Sequence, residues 1–475
     1  MNYPNFQSVL NRSVYTPTNP SKKKGRNPNS VDNLSINLRS LFIWSAISAL
    51  IILAVVAFPA PGQWIGVAYI ISLLIYVLIL FFQGKTITGL FILFYLATIE
   101  PIIRTYIPPL PYLGLEYYLI GFAFGALLLR KSQKLSRWAP AIFYLVFLLL
   151  EFFGLFKSIN LENARSVLIL SAAMSSSLIL VNYFSFSFSG FFSILTHILI
   201  GVINILVVIA YGYVTNTNLV WGSESSLAAS GGMGPVQISM ILALGIIGLI
   251  ISIDLTRNKT RILYLVIIAL IFIGMILTFS RNGLYLVIIA CFCYFVFFKR
   301  PTFKSTGLLL LLIIVGLAAF NFGMKYAGEA LIERFSDYDP TNRDTLIVYG
   351  WQIFLENPLF GVGTGNFATE VAKPEYFGRY SGAHNEFIRA SAEHGILGLF
   401  SWTFFVLSSI WIGLKNPHRA IRAIRMTLLV VFLAYTAVNG IKLLIQPLLL
   451  LAALSVDNSF DTDPLNTSHV ISNSS

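Results

Sequence analysis

Pro235–Arg300 reads PVQISMILALGIIGLIISIDLTRNKTRILYLVIIALIFIGMILTFSRNGLYLVIIACFCYFVFFKR. Three apolar runs, 235–253, 262–279 and 283–298, are separated by two short polar turns. The first turn holds Arg257, Lys259 and Arg261, the second holds only Arg281, and the third run ends at Lys299 and Arg300. Apolar runs of this length cross a bilayer as helices, because only hydrogen bonds within the segment satisfy a backbone in hydrocarbon. Lys and Arg concentrate in the cytoplasmic turns of such proteins. The stretch therefore predicts antiparallel spans, with Arg281 in a very short outer turn.

The pattern continues in both directions. Further runs lie at roughly 40–58, 64–82, 86–99, 113–129, 139–156, 164–182, 190–210, 307–323 and 395–414. Met426–Leu454 is too long for one span and is expected to fold back near Asn439 and Gly440 as two shorter helices. The expected fold is an all-α integral membrane protein of 12–14 transmembrane helices. Of 475 residues, 56 % are hydrophobic and 11 % charged, against about 25 % charged in a soluble protein. That excludes a water-soluble enzyme and, equally, a disordered chain. The net charge of +12 suggests nucleic acid at first, but charges this sparse form no basic groove, so no nucleic-acid partner is expected. With the N-terminal tail cytoplasmic, 21 of the 32 Lys and Arg fall inside, so the excess of positive charge is an orientation signal and both termini are placed inside.

Residues 1–38, with Lys22, Lys23, Lys24 and Arg26 beside prolines, lack the apolar core of a signal peptide and read as a disordered cytoplasmic tail. Then come a bundle of about eleven spans (39–323), a large outer loop (324–394), C-terminal transmembrane helices (395–454) and a polar cytoplasmic tail (455–475). Cys291 and Cys293 are two apart on one helix and point about 200° away from each other, so they cannot pair. No internal repeat and no matched pair of broken spans points to an inverted-repeat transporter.

The outer loop is far longer than an ordinary connection, and its composition is not that of a disordered segment. Thr341 or Asn342 can cap a helix from Arg343, along which Leu346, Ile347, Trp351, Phe354 and Leu355 recur at helical spacing until Asn357-Pro358 ends it. Its apolar side is expected to lie on the bilayer or on the bundle. A second helix is predicted from near Ala383 towards the span at Gly395. The loop gathers Arg334, Arg343, Arg379, Arg389, His384, Glu386, Glu393 and His394. Glu386, Arg389 and Glu393 stand three and four apart, a spacing for solvated surface pairs. His394 follows His384 by ten positions, about 15 Å along one helix, which argues against a shared metal and for an interfacial His394. His197, inside a span, reads as a packed core residue. Gly361, Gly363 and Gly365 in GVGTGNF follow a helix ended by proline, and read as a tight turn placing the second half of the loop. Glu100 and Arg104, by the prolines of the second outer turn, and Glu151, within a span, have no assigned role and are candidates for lining the lipid or acceptor groove.

Three elements in order, TFSRNG around Arg281, the run from Arg343 to NPLFGVGTGNF, and HNEFIRASAEHGILG from His384 to Gly398, resemble the O-antigen ligase and polymerase family of bacterial membrane glycosyltransferases. The resemblance implies a GT-C-like fold with the large loop in the periplasm, in the bacterial plasma membrane. It implies transfer of a saccharide from an undecaprenyl-pyrophosphate carrier in the bilayer to a hydroxyl of a glycan, lipid or protein acceptor. The reaction would be inverting and metal-independent, with no cofactor. His384 matches the histidine taken to act on the acceptor, and Arg281 and Arg343 match arginines taken to engage pyrophosphate. Arg334, Asn385, Arg389 and Glu393 are the further candidates for holding donor or saccharide. One departure stands out: 212–234 has no Lys or Arg, and GGMGPVQ carries Val236 where the family has Asn. The chemistry agrees with the resemblance, since guanidinium groups suit a departing pyrophosphate and an imidazole suits activation of a sugar hydroxyl. The alternatives are a polytopic solute transporter, for example of inorganic carbon, and a scaffold in glycan export.

Overall fold

The computed structural model describes residues 36–132, 135–215, 227–255, 260–298 and 343–457, with Ile314, Gly316, Ala318 and Asn321 between them. Arg334, the capping candidates Thr341 and Asn342, most of the expected span at 307–323 and most of both tails lie outside the described residues.

The chain is an all-α integral membrane protein. Its first helices are α1 (Leu38–Ala57), α2 (Pro59–Phe82), α3 (Thr86–Thr98), α4 (Glu100–Tyr106) and α5 (Gly114–Leu129). Next are α6 (Trp138–Gly154), α7 (Leu161–Leu180), α8 (Phe188–Thr215), α9 (Pro235–Leu255), α10 (Arg261–Leu277) and α11 (Arg281–Phe298). The loop contributes α12 (Arg343–Glu356) and α13 (Phe367–Val371), and the chain continues as α14 (Glu386–Leu414), α15 (Arg419–Asn439) and α16 (Ile445–Ser455). Among the described residues eight helices are long and apolar enough to cross a membrane, or nine with α3 and α4 taken together. Four shorter apolar helices, α5, α10, α11 and α16, fall at other positions where the sequence predicts spans. The predicted fold-back occurs at Gly440 (φ 66°), between α15 and α16.

Burial sorts the helices. α9 is central, with all but its ends enclosed, whereas α1 and α2 turn Trp44, Leu50, Trp64 and Phe82 outward, as lipid-facing helices do. Polar residues join helices inside the bundle: Asn204 of α8 donates to Ser48 of α1 and to the Tyr95 hydroxyl of α3, both at 3.0 Å. His197 sits as expected, packed on Phe91 with ring centroids 5.8 Å apart and with Nδ1 2.8 Å from the Ser193 carbonyl.

Two breaks shape the end of the bundle that carries the loop. The first was not legible in the hydropathy: α3 and α4 meet at 54° around Ile99. Pro101 lacks an N–H for the helix to continue through, and Glu100 is drawn sideways to other partners. The second is Gly395 within α14, at φ 62° and ψ −150°, a conformation open in practice to glycine alone. A Cβ there would also stand 2.5 Å from the Leu359 carbonyl and 2.6 Å from that of Pro358. Gly395→Ala is expected to destabilise the protein by more than the ~1–3 kcal/mol of backbone strain. An unchanged thermal midpoint in detergent would sink this prediction.

Candidate functional site

The loop folds onto the bundle through its own small core. α12 buries Leu346, Gly350, Ile353 and Phe354. Leu346 and Ile353, with Phe367, Val371, Ala383 and Ala392, build a second cluster beside the main one. Ile347, Trp351 and Leu355, on the same predicted stripe, stay exposed. The buried face is set by the close approach to α14: a Cβ on Gly350 would overlap Ile388 and Phe367. Helix α12 stops at Glu356, just ahead of Asn357-Pro358.

GVGTGNF is a tight turn, as its sequence context predicts. Gly361, Gly363 and Gly365 all have positive φ. Val362 and Gly363 donate to the carbonyls of Ala392 and Glu393, at 3.0 and 2.9 Å. The other side of the turn is tied to the ends of α6 and α7. Thr364 Oγ1 donates to the Glu151 carbonyl at 2.6 Å, Asn163 donates to the Gly365 carbonyl at 2.7 Å, and Asn366 accepts from Ile159 N–H at 2.9 Å. The turn thus fixes the first half of α14 against α6, whose Glu151 faces it.

Between them lies a buried charge network. Arg389 donates through Nε to Glu386 at 2.8 Å, through Nη1 to Glu393 at 2.9 Å and through Nη2 to Glu151 at 2.7 Å. Glu151, Glu386 and Glu393 are all buried, and Arg389 is 9 % exposed. The sequence spacing predicts these pairs correctly but places them in solvent; the structure corrects this. The long-range partner Glu151, invisible in the local pattern, makes the difference. His394, expected at an interface, is buried as well, edge-on to Phe147. A second network gathers on α4 and α5, where Arg104 pairs with Glu100 and, at 2.7 Å, with Glu116, beneath the Tyr112 ring.

Both networks reach the turn between α15 and α16. The Ile441 N–H donates to Glu386 Oε1 at 2.8 Å, and the Leu444 N–H donates to Glu100 Oε2 at 2.6 Å. Gln446 completes the clamp by accepting from the N–H groups of Lys442 and Leu443. The two arginine networks, this turn, α7 and the His384 segment enclose a cavity of about 510 Å³. Its polar lining includes Arg104, Asn163, Gln237, His384, Arg389 and Lys442.

His384 stands at the cavity wall, half-buried, with a left-handed backbone at φ 52°. Among the described residues only one other non-glycine, Phe279 (φ 56°), has positive φ. It lies two positions before Arg281. Strained backbone of this kind gathers at functional sites, and here it marks both motifs singled out from the sequence. Among the described residues Nδ1 of His384 is buried without a hydrogen-bond partner. Burial, then the charges of Lys442 and Arg343, lower its pKa to about 4, so the imidazole is neutral at pH 7.

The predicted residues do not all converge. His384, Arg389 and Glu393 line the cavity. Asn385 adjoins it but caps α14, its Oδ1 accepting from the N–H groups of Phe387 and Ile388. Arg343 begins α12 and stands near enough for its charge to act on His384 and Lys442. Arg281 begins α11 outside the lining; the preceding Ser280 accepts from Ser239 of α9 at 2.9 Å, two residues after the lining Gln237. Sequence reasoning missed Lys442, Glu116, Gln237 and Asn163, and left Arg104 and Glu151 unassigned. A lysine at the fold-back of an otherwise apolar stretch was the available signal.

No curated protein matches the chain. Residues 265–403 match the family model described as O-antigen ligase. The match spans the Arg281 turn, α12, GVGTGNF and the His384 segment. Over those residues the chain is similar to the O-antigen ligase family, and the match carries all three of the motifs singled out from the sequence.

Proposed function

We propose that the protein transfers or polymerises a saccharide from an undecaprenyl-pyrophosphate carrier onto an acceptor hydroxyl, in the assembly of a cell-surface polysaccharide, with His384 as general base. The carrying observation is an imidazole with an unpartnered Nδ1 in a cavity wall, beside cationic groups. In this reading the acceptor hydroxyl gives its proton to His384 as its oxygen forms a bond to the anomeric carbon. The bond from that carbon to the pyrophosphate oxygen breaks, and the leaving group departs with the electron pair. Arg343, and Arg281 from the neighbouring turn, meet the negative charge that develops there. Arg334 is held as a further candidate for the donor. Arg389 and Glu393 act as a rigid wall of the saccharide subsite, and Asn385 holds the helix that presents His384. The outer, periplasmic face of the plasma membrane is where a bilayer carrier with a water-facing saccharide fits this site.

The same electrostatics give a pH signature. In the free protein burial, and then the cations around His384, oppose its protonation, whereas a bound pyrophosphate offsets the cations. The acid limb of kcat/KM, which reports the free enzyme, is therefore expected well below pH 6.5, while that of kcat moves up towards the ordinary histidine range. Limbs that coincide would remove His384 as the titrating base.

The direct test reconstitutes the protein in proteoliposomes with an undecaprenyl-pyrophosphate-linked saccharide and an acceptor glycan. Elongated or transferred glycan is the expected product. Solute flux with no dependence on a lipid-linked sugar would favour a transporter instead, a reading to which the bent α3–α4 span and its buried charges lend some support.

A further inference from the structure

Lys442 occupies an unusual position among the cations of the site. Arg389 is surrounded by three carboxylates and Arg104 by two. Lys442 lines the same cavity, half-buried, and among the described residues no carboxylate forms an ion pair with its ammonium group. Glu386, whose charge reaches it, already accepts from Arg389 and from the Ile441 N–H. The loss of solvent, and then the nearby charge of Arg343, hold the Lys442 pKa below its ordinary value. An ammonium in such surroundings is costly, and it invites an anion from outside the chain.

The backbone under Lys442 is also restrained more firmly than a connecting turn needs. Glu386 holds the N–H before it, Glu100 holds the N–H two residues after it, and Gln446 holds its own N–H and the next. Gln446 also donates to the Gly440 carbonyl at 2.7 Å, closing the turn on itself. Carboxylates from two separate charge networks therefore fix one residue that projects into the cavity. Preorganisation of this kind serves ligand binding, because a fixed donor needs no reordering when charge arrives. The connection 212–234, on the Gln237 side, has no Lys or Arg to contribute.

We propose that Lys442 is an anion-binding residue of this site, its ammonium contacting the pyrophosphate of the lipid-linked donor from the clamped turn between α15 and α16. This rests on the lipid-pyrophosphate reading above and adds a residue to it. Glu100, Glu386 and Gln446 are then positioning residues, acting through the backbone of Lys442. Only the side chain changes in Lys442→Met, so the backbone clamp stays intact, and Lys442→Arg restores a cation.

The test measures binding of undecaprenyl pyrophosphate to the full-length protein in nanodiscs, with undecaprenol as the uncharged control. Wild type is expected to prefer the pyrophosphate. Lys442→Met is expected to weaken that binding by about 10- to 100-fold, the usual cost of a charged hydrogen bond. Lys442→Arg should recover most of it, and undecaprenol binding should not change. Pyrophosphate binding by Lys442→Met at the wild-type level, in protein with an unaltered thermal midpoint, would overturn the role of Lys442 alone. Wild-type protein that binds undecaprenol and undecaprenyl pyrophosphate equally would overturn the donor reading and the role of Lys442 with it.

Discussion

His384→Ala is expected to lower saccharide transfer by roughly 10²–10⁴-fold, the contribution of a positioned general base. The variant should still insert in the membrane, because among the described residues Nδ1 of His384 has no hydrogen-bond partner for the fold to lose. Alanine does carry the left-handed backbone of position 384 at some cost, whereas asparagine tolerates that region. His384→Asn therefore separates chemistry from strain: it should be as inactive as alanine while keeping wild-type stability. In cells lacking the native protein, both variants should leave long surface glycan chains unmade or unattached. Wild-type glycan in either one would remove His384 from the reaction.

The largest stability effect is expected at Arg389. Removing its side chain leaves Glu151, Glu386 and Glu393 facing one another in a buried space without their shared cation. Breaking a buried ion network by deleting one partner costs about 3–5 kcal/mol. Arg389→Ala should accordingly lower the thermal midpoint sharply or abolish recovery of folded protein. Lys373, 45 % exposed and paired with Glu370, is the contrast. A solvated pair of that kind contributes at most about 1 kcal/mol, so Lys373→Ala should barely move the midpoint. Equal midpoints for the two variants, measured in one detergent, would refute the placement of Arg389 at the centre of a buried network.

The spacing of Glu386, Arg389 and Glu393 illustrates how far local pattern reaches. Positions three and four apart on a helix meet, and they do meet here. Whether such a pair is wet or buried depends on what covers the helix, and Glu151 comes from 238 residues away. Arg104 is similar, since it reads as a stray charge by a predicted turn, and only the bent α4 brings it to Glu116 of α5. Arg281 and His384 stand out as candidates in the sequence because they lie in short motifs, and the positive φ of Phe279 and His384 falls at the same two places. Lys442 was not legible as part of the site, since nothing near it in the chain resembles an anion-binding motif.

Hydropathy and charge, which act residue by residue, were enough to establish a helical membrane protein, nearly all of its described helices and the fold-back at Gly440. Glycine and proline, whose backbone limits are local, were enough to mark the GVGTGNF turn and the end of α12. The bend at Ile99, the burial of the charge networks and the clamp on Lys442 come from side chains distant in sequence competing for the same hydrogen bonds. Those bonds exist only once the helices are packed, because in low-dielectric surroundings each buried charge must find a partner wherever the fold places one.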